Sequence, residues 1–147
     1  MLRDVCDEDI PIFFEHQRDP EAQRMAAVPP LQKDAFIQHW RTKVLADSSV
    51  LKKAIVSDDT VVGNVLSWTE SNERLVGYWI GKEYWGRGIA SKALSEFSYE
   101  EPIRPLCAYV AVHNCGSMRV LEKCGFIRVG AIHVGPDGVE ECHFQLR

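Results

Sequence analysis

The chain has 147 residues, 46% hydrophobic and 26% charged, the make-up of an ordinary globular protein and long enough for one domain, expected over 1–147, with a proper core. Its 17 basic and 21 acidic side chains leave a net charge of −4, with no basic cluster of the kind that grips nucleic acid, and the mildly acidic surface suits an amine-bearing partner. No apolar run approaches the roughly 20 residues that span a bilayer, and the acidic first nine residues lack a signal-peptide core, so a cytoplasmic protein without a membrane partner is expected.

Residues 2–5 read as a short strand. Asp7 stands where an N-cap belongs, ahead of a helix carrying Ile10, Ile12, Phe13 and Phe14. His16, Gln17 and Arg18 close that helix and read as surface residues. Residues 19–30, broken by Pro20, Pro29 and Pro30, read as a loop with one helical turn. Over 33–45 the residues Phe36, Ile37, Trp40, Val44 and Leu45 share one helical face, a core-facing stripe.

The period then changes. Residues 51–57 and 61–68 read as strands joined by an Asp58-Asp59 turn, and 75–80 as a third strand after a Ser71-Asn72-Glu73 turn. A helix follows from about Gly88, and Pro102 and Pro105 bracket the next break. Residues 106–112 are apolar almost throughout, as in a strand buried on both faces. His113-Asn114-Cys115-Gly116-Ser117 opens a helix that stops at Cys124-Gly125, with Gly125 suited to a left-handed C-cap. Residues 126–134 and 139–146 read as a hairpin closed by Gly135-Pro136-Asp137-Gly138. The order β-α-α-β-β-β-α-β-α-β-β describes a mixed α/β domain.

The most informative stretch is Gly77-Tyr78-Trp79-Ile80-Gly81-Lys82-Glu83-Tyr84-Trp85-Gly86-Arg87-Gly88-Ile89-Ala90, an apolar strand, a short polar turn and a glycine-rich helix start. Gly86, Gly88 and Ala90 leave the first N–H groups of that helix unpaired and without side-chain cover. Such a terminus carries roughly half a positive charge and suits a phosphate or pyrophosphate. Arg87 adds a full charge and a fork of donors. The spacing is neither G-x-G-x-x-G nor a Walker loop, which disfavours a nicotinamide or nucleoside-triphosphate site. By itself the turn leaves two readings open, an anion site or a tight corner.

The five cysteines, Cys6, Cys107, Cys115, Cys124 and Cys142, form no CxxC pair, so neither a disulfide framework nor a zinc site is expected. Most read as small buried hydrophobes; Cys115 or Cys124 as a nucleophile is the thiol alternative.

Two separated segments carry a family resemblance. Gly77-Tyr78-Trp79-Ile80 with Trp85-Gly86-Arg87-Gly88-Ile89-Ala90 is similar to the pyrophosphate loop of the GNAT superfamily of acyl-CoA-dependent N-acyltransferases. Asn114-Cys115-Gly116-Ser117-Met118-Arg119-Val120-Leu121-Glu122-Lys123-Cys124-Gly125-Phe126 is similar to the N-x-x-S-x-x-V-L-E-K-x-G-F segment of its RimJ/RimL-like branch. The Leu2-Arg3 strand, an Asp9 before the first helix and the closing hairpin agree. The resemblance implies a mostly antiparallel sheet of about seven strands flanked by about four helices, splayed at the strand before the glycine-rich turn.

It also implies a function: transfer of an acetyl group from acetyl-CoA directly to a primary amine, a protein N-terminus or a small molecule, without a metal. The N–H groups of Arg87, Gly88 and Ala90, with Gly86, would cradle the pyrophosphate. Backbone groups of Trp79, Ile80 and Gly81 would pair with the pantetheine amides, as in β-augmentation. Asn114 would bind the pantetheine, beside its alternative reading as an N-cap. Ser117 would donate to the leaving thiolate, beside its alternative as a local cap. The chain departs from the family pattern twice. Leu121 stands where many members carry an acidic tyrosine, and Leu75 where some relatives carry a base glutamate. Glu73, on the same strand face as Leu75, is the candidate base, with Glu141 and His133 as rivals. Trp40 and Trp68 read as core or as walls of an acceptor pocket. These departures keep a non-catalytic acyl-CoA-binding domain as the alternative, and the exposed sheet edges suit a homodimer.

Overall fold

In the computed structural model, β1 (Leu2–Asp4), β2 (Leu51–Ser57), β3 (Thr60–Glu70), β4 (Glu73–Ile80), β5 (Leu106–Ala111), β6 (Ile127–Val134) and β7 (Glu140–Leu146) build one sheet in the order β1-β2-β3-β4-β5-β7-β6. The structure describes residues 1–29, 31–135 and 137–147; Pro30 and Pro136, read above as loop and turn residues, lie outside them. All neighbours pair antiparallel except β4 and β5, which run parallel. Two hairpins close on left-handed pairs, Asp58 with Asp59 (φ 51° and 60°) and Ser71 with Asn72 (φ 50° and 64°). Two-residue turns of this hand match the strand twist, so β3 and β4 run right up to the turn. Glu73 is therefore a strand residue and not part of the turn.

The helices divide between the two faces. On one face α4 (Ile89–Glu100) and α5 (Cys115–Lys123) cover Val76, Ile80, Leu106, Ala108, Val110 and Phe144. On the other, α1 (Asp9–Gln17) and α3 (Lys33–His39) pack Ile10, Phe13, Phe14, Phe36 and Trp40 against β2 and β3. The predicted 33–45 helix is continuous but changes pitch, since Trp40–Leu45 forms a π-helical turn. Phe36, Trp40 and Val44 recur every fourth residue. An α-helix drifts past such a row, and a wider turn keeps the three buried side chains in line.

Three local expectations are corrected. Residues Pro20–Ala26 form a further helix, α2, which makes five α-helices among the described residues; Pro20 starts it, and the Asp19 carboxylate accepts the Ala22 N–H at 3.0 Å. Proline at a first helical position is preorganised, not disruptive. Asp7 caps nothing and instead pairs with Arg41 at 2.9 and 3.0 Å. The buried Asp9, first residue of α1, accepts the Cys6 N–H at 2.9 Å and both ends of the Arg3 guanidinium. His16 is buried rather than superficial, its ring lying against Gly81 and Tyr84, and burial pushes its imidazole below its ordinary pKa.

One buried polar network fastens β3, β4 and the α4–β5 connection together. Glu101 is 1% exposed and Arg74 8%. The Arg74 guanidinium donates to Glu101 at 2.9–3.0 Å, to the Ser49 carbonyl at 2.9 Å and to Thr69 at 3.2 Å. The Ser67 hydroxyl and the Ile103 N–H also donate to Glu101. Burial alone would raise the Glu101 carboxyl, but these donors outweigh it and hold it below the usual carboxylate range. Glu101→Ala leaves a buried guanidinium without its counter-ion and should cost about 3–5 kcal/mol, read by denaturant unfolding. Because the folded-state pKa is depressed, this contribution is present at neutral pH and lost as pH falls through the carboxylate range. The Glu101→Ala deficit should therefore shrink in acid; a deficit independent of pH would separate the cost from the charge.

Candidate active site

β4 and β5 pair at only two positions, Arg74 with Leu106 and Leu75 with Cys107. Beyond them the strands part. β5 stays with β7 through Ala111, and β4 stays with β3 through Ile80. Into this gap opens a cavity of about 600 Å3, lined by Tyr78 and Ile80 of β4, the start of α4, the first turns of α5, and Ala22, Met25 and Ala26 of α2.

The open edge of β4 offers backbone groups to the cavity. Gly81 donates its N–H to Val62 of β3 at 2.9 Å. By the alternation of an antiparallel ladder, the backbone of Trp79 also turns toward β3, and that of Tyr78 and Ile80 turns toward the gap. The Trp85 indole already donates to the Ile80 carbonyl at 2.9 Å. The Trp79 ring lines the cavity while its indole N–H donates to the His16 carbonyl at 3.3 Å.

At the cavity mouth, Gly86 and Gly88 have φ of 77° and 75°, a conformation that side-chain-bearing residues adopt at a cost. A Cβ at either would meet nothing within 4 Å, so the space beside the turn is open. Gly88 caps α4 without a side-chain acceptor, leaving the first-turn N–H groups around Ile89, Ala90 and Ser91 free for an anion. The Arg87 side chain turns elsewhere, donating to the Glu83 carbonyl at 3.4 Å and lying over the Tyr84 ring. Arg119 and Lys123 of α5 line the cavity and supply positive charge.

Asn114 caps α5, its side-chain oxygen accepting the Ser117 N–H at 3.2 Å, and it also lines the cavity. Both sequence readings of Asn114 are thus compatible with its place. Ser117 Oγ lies 2.6 Å from the Tyr78 hydroxyl. Burial pushes the Tyr78 phenol up to about 12, so it is protonated at neutral pH. Tyr78 carries no signal in the sequence because it sits inside an apolar strand; only the placement of α5 across the gap pairs it with Ser117. Leu121 is buried in the core.

Glu73 does not line this cavity. It projects from the other sheet face, where its carboxylate accepts the Tyr109 hydroxyl at 2.7 Å. Glu141 and His133 pair across the β6–β7 hairpin on the same side, outside the cavity. Trp40 is core, its ring tilted against Phe13 with centroids 4.9 Å apart, whereas the Trp68 ring lies close over Gly77, at the edge of the parted stretch. Of the thiol candidates, Cys124 donates to the Ser91 carbonyl and burial pushes its thiol up, against a nucleophilic thiolate.

The second helix closes the cavity from the face opposite α5. A Glu21–Lys82 ion pair fixes it to the glycine-rich turn, and the His113 ring bonds the Arg24 carbonyl at 2.9 Å.

The split sheet thus sets unpaired strand edges along a cavity whose mouth is an uncapped glycine turn with free backbone donors. The family model for the acetyltransferase (GNAT) domain matches residues 1–127, and the chain belongs to that family. It is 34% identical over 97 residues to a probable N-acetyltransferase of Bacillus subtilis, covering 59% of this chain and 54% of the relative. A putative ribosomal N-acetyltransferase of the same organism is 28% identical over 110 residues, covering 70% of this chain and 60% of the relative. The matched stretch therefore spans little more than half of either relative. Among solved structures, the spermidine N-acetyltransferase of Vibrio cholerae bound to CoA and spermine superposes with a TM-score of 0.81 at 14% identity. That superposition covers 99% of this chain and 94% of the other, and it shows the fold. Among the described residues no helix is long and apolar enough to cross a membrane.

Asp19→Ala removes the α2 cap and should lower stability by about 1 kcal/mol, with proteolysis starting within α2. Cleavage unchanged in site and rate would mean that the two strap contacts hold α2 without the cap.

Proposed function

We propose that the chain is an N-acetyltransferase that moves an acetyl group from acetyl-CoA to a primary amine in a ternary complex. The observation that carries this reading is the single cavity joining the uncapped start of α4 to the parted edges of β4 and β5. Acetyl-CoA supplies an activated thioester. The N–H groups of Arg87, Gly88 and Ala90, with Gly86, receive its pyrophosphate, and Arg119 and Lys123 add charge beside it. Gap-facing backbone groups of Tyr78 and Ile80, with Trp79 and Gly81 shaping the edge, take the pantetheine amides as an added strand would. Asn114 lines the cavity, and with its side-chain oxygen taken by the Ser117 N–H its amide nitrogen is the group left to bind the same arm.

Departure of the thiolate needs a proton donor. The Tyr78 and Ser117 hydroxyls lie 2.6 Å apart, and either can donate; with Tyr78 as the donor, the Ser117 proton is free to turn toward the sulfur. This pair occupies the role that a tyrosine at position 121 would fill. Glu73 remains the proposed base, acting from the opposite face through Tyr109 or a water. The acceptor is an amine, a protein N-terminus or a small cation; a ribosomal N-acetyltransferase and a spermidine N-acetyltransferase among the similar proteins support that class.

Calorimetric titration with acetyl-CoA should give a roughly micromolar Kd for the wild type and no heat for Gly88→Glu. Absence of binding to the wild type would sink the proposal. Ser117→Ala should keep acetyl-CoA binding and lower kcat toward a panel of amines by about 100-fold. Binding without turnover on any amine would favour the non-catalytic acyl-CoA-binding alternative that Leu75 and Leu121 leave open.

A further inference from the structure

Beneath the point where the sheet parts, three strands bring together a thiol, an imidazole and a carboxylate. Cys107 of β5, Glu73 of β4 and His143 of β7 each present a ligand atom, and all three atoms lie within 4.8 Å of one another. The strands hold them in place. Leu75 pairs with Cys107, and Tyr109 pairs with His143, so Glu73, Cys107 and His143 share one sheet face by the alternation of side chains. The His143 ring stacks on Tyr109, with centroids 4.5 Å apart and planes 11° apart. The Tyr109 hydroxyl occupies Glu73 Oε1, leaving Oε2 only 3.3 Å from His143 Nε2.

Two features point to a ligand at this place. His143 Nε2 is buried and makes no hydrogen bond, since Glu73 Oε2, its one polar neighbour at 3.3 Å, lies outside hydrogen-bond geometry. A buried polar atom without a partner carries a desolvation cost that a bound ion would remove. The exposure is also graded: Cys107 is 1% exposed beneath, while the His143 and Glu73 side chains keep 19% and 30% of theirs and leave a way in from solvent.

We propose that Glu73, Cys107 and His143 form a binding site for a thiophilic divalent ion of the zinc class, clamping β4, β5 and β7 just below the split. Thiolate with imidazole selects such an ion over magnesium or calcium, which take oxygen ligands. Metal–ligand bonds of about 2.0–2.3 Å in a tetrahedron put neighbouring ligand atoms about 3.3–3.8 Å apart. The Glu73–His143 separation already has that value at 3.3 Å, and the Cys107 sulfur lies within 4.8 Å of both. On binding, the Cys107 S–H bond breaks, a sulfur–metal bond forms and the proton leaves to solvent. His143 binds through its Nε2 lone pair with Nδ1 protonated, and a water completes the fourth position. An ion here would occupy the Glu73 carboxylate that the reading above takes as the base, so a loaded site and catalysis by Glu73 exclude each other, and the metal titration reads the site without any acyl transfer. No sequence motif signals it, because its ligands lie on three strands far apart in the chain.

Cobalt(II) is a suitable probe, titrated into the full chain without oxygen and with a non-thiol reductant. The site should saturate at one equivalent, with a thiolate-to-cobalt charge-transfer band and the intense visible bands of a four-coordinate ion. Cys107→Ser should remove the charge-transfer band, and Cys142→Ser should keep it. His143→Phe retains the stack on Tyr109 but removes the nitrogen. It should weaken binding by more than the roughly 10- to 100-fold that loss of an outer-shell partner costs. A wild type without the band, or a band that survives in Cys107→Ser, overturns the proposal. Should Cys107→Ser not fold, an unchanged midpoint in His143→Phe overturns it equally.

Discussion

Two ladder pairs between β4 and β5 hold the halves of the sheet together, and the rest of the molecule depends on there being no third. A fully paired parallel edge would satisfy the backbone of Tyr78 and Ile80 and leave no opening. Instead β5 commits to β7 over its whole length, β4 commits to β3, and the strands diverge with polar backbone between them. Such groups need a partner from water or a ligand. The opening is kept from collapsing by side chains on both faces. The Tyr78 phenol reaches α5 on one side, and the Trp68 and Trp79 rings crowd β4 on the other.

The root of the split carries the costliest chemistry in the fold. Arg74 belongs to the last ladder pair, and Glu101 precedes β5 in the turn that sets its position. Hydrophobic residues of similar size would serve stability as well as a buried ion pair does. What the pair adds is direction. Guanidinium donors aimed at Glu101, at the Ser49 carbonyl and at Thr69 accept one register of β3 against β4, and a slip by one residue would strand both charges in the core. The root is thus pinned where only two pairs of hydrogen-bonded backbone are available to do so.

Much of this was legible in the sequence, for reasons that differ by element. Hairpin signals such as Asp58-Asp59 and Ser71-Asn72 are local, and they located β2, β3 and β4 closely. The two motif segments marked the turn at Gly86 and Gly88 and the cap at Asn114, which are local as well. What stayed hidden was long-range or context-dependent. Pro20 reads as a breaker until Asp19 is seen to cap α2. Tyr78 and Ser117 are 39 residues apart and meet only because α5 crosses the gap. Arg87 reads as an anion ligand by proximity, yet its side chain finds Tyr84 instead. Period-two alternation sets Glu73 on the strand face of Leu75, where it lies, but periodicity says nothing about Tyr109, whose hydroxyl occupies its carboxylate.

The two faces of the split differ in chemistry, and that difference gives the site a direction. Toward α4 and α5 stand free helix N–H groups, Arg119, Lys123 and a hydroxyl pair, an environment that favours negative charge. Toward the open face of β5 and β7 stand Glu73, Glu141, Tyr109 and two imidazoles, an environment that favours positive charge. An anionic carrier and a cationic amine would therefore each be drawn to one side and repelled by the other. They can meet only where β4 and β5 part, beside Gly77, the one position of β4 where a missing side chain lets the Trp68 ring come close. The sorting of charge to opposite faces and the interruption of the ladder are in this sense one device, because neither would bring two partners together without the other.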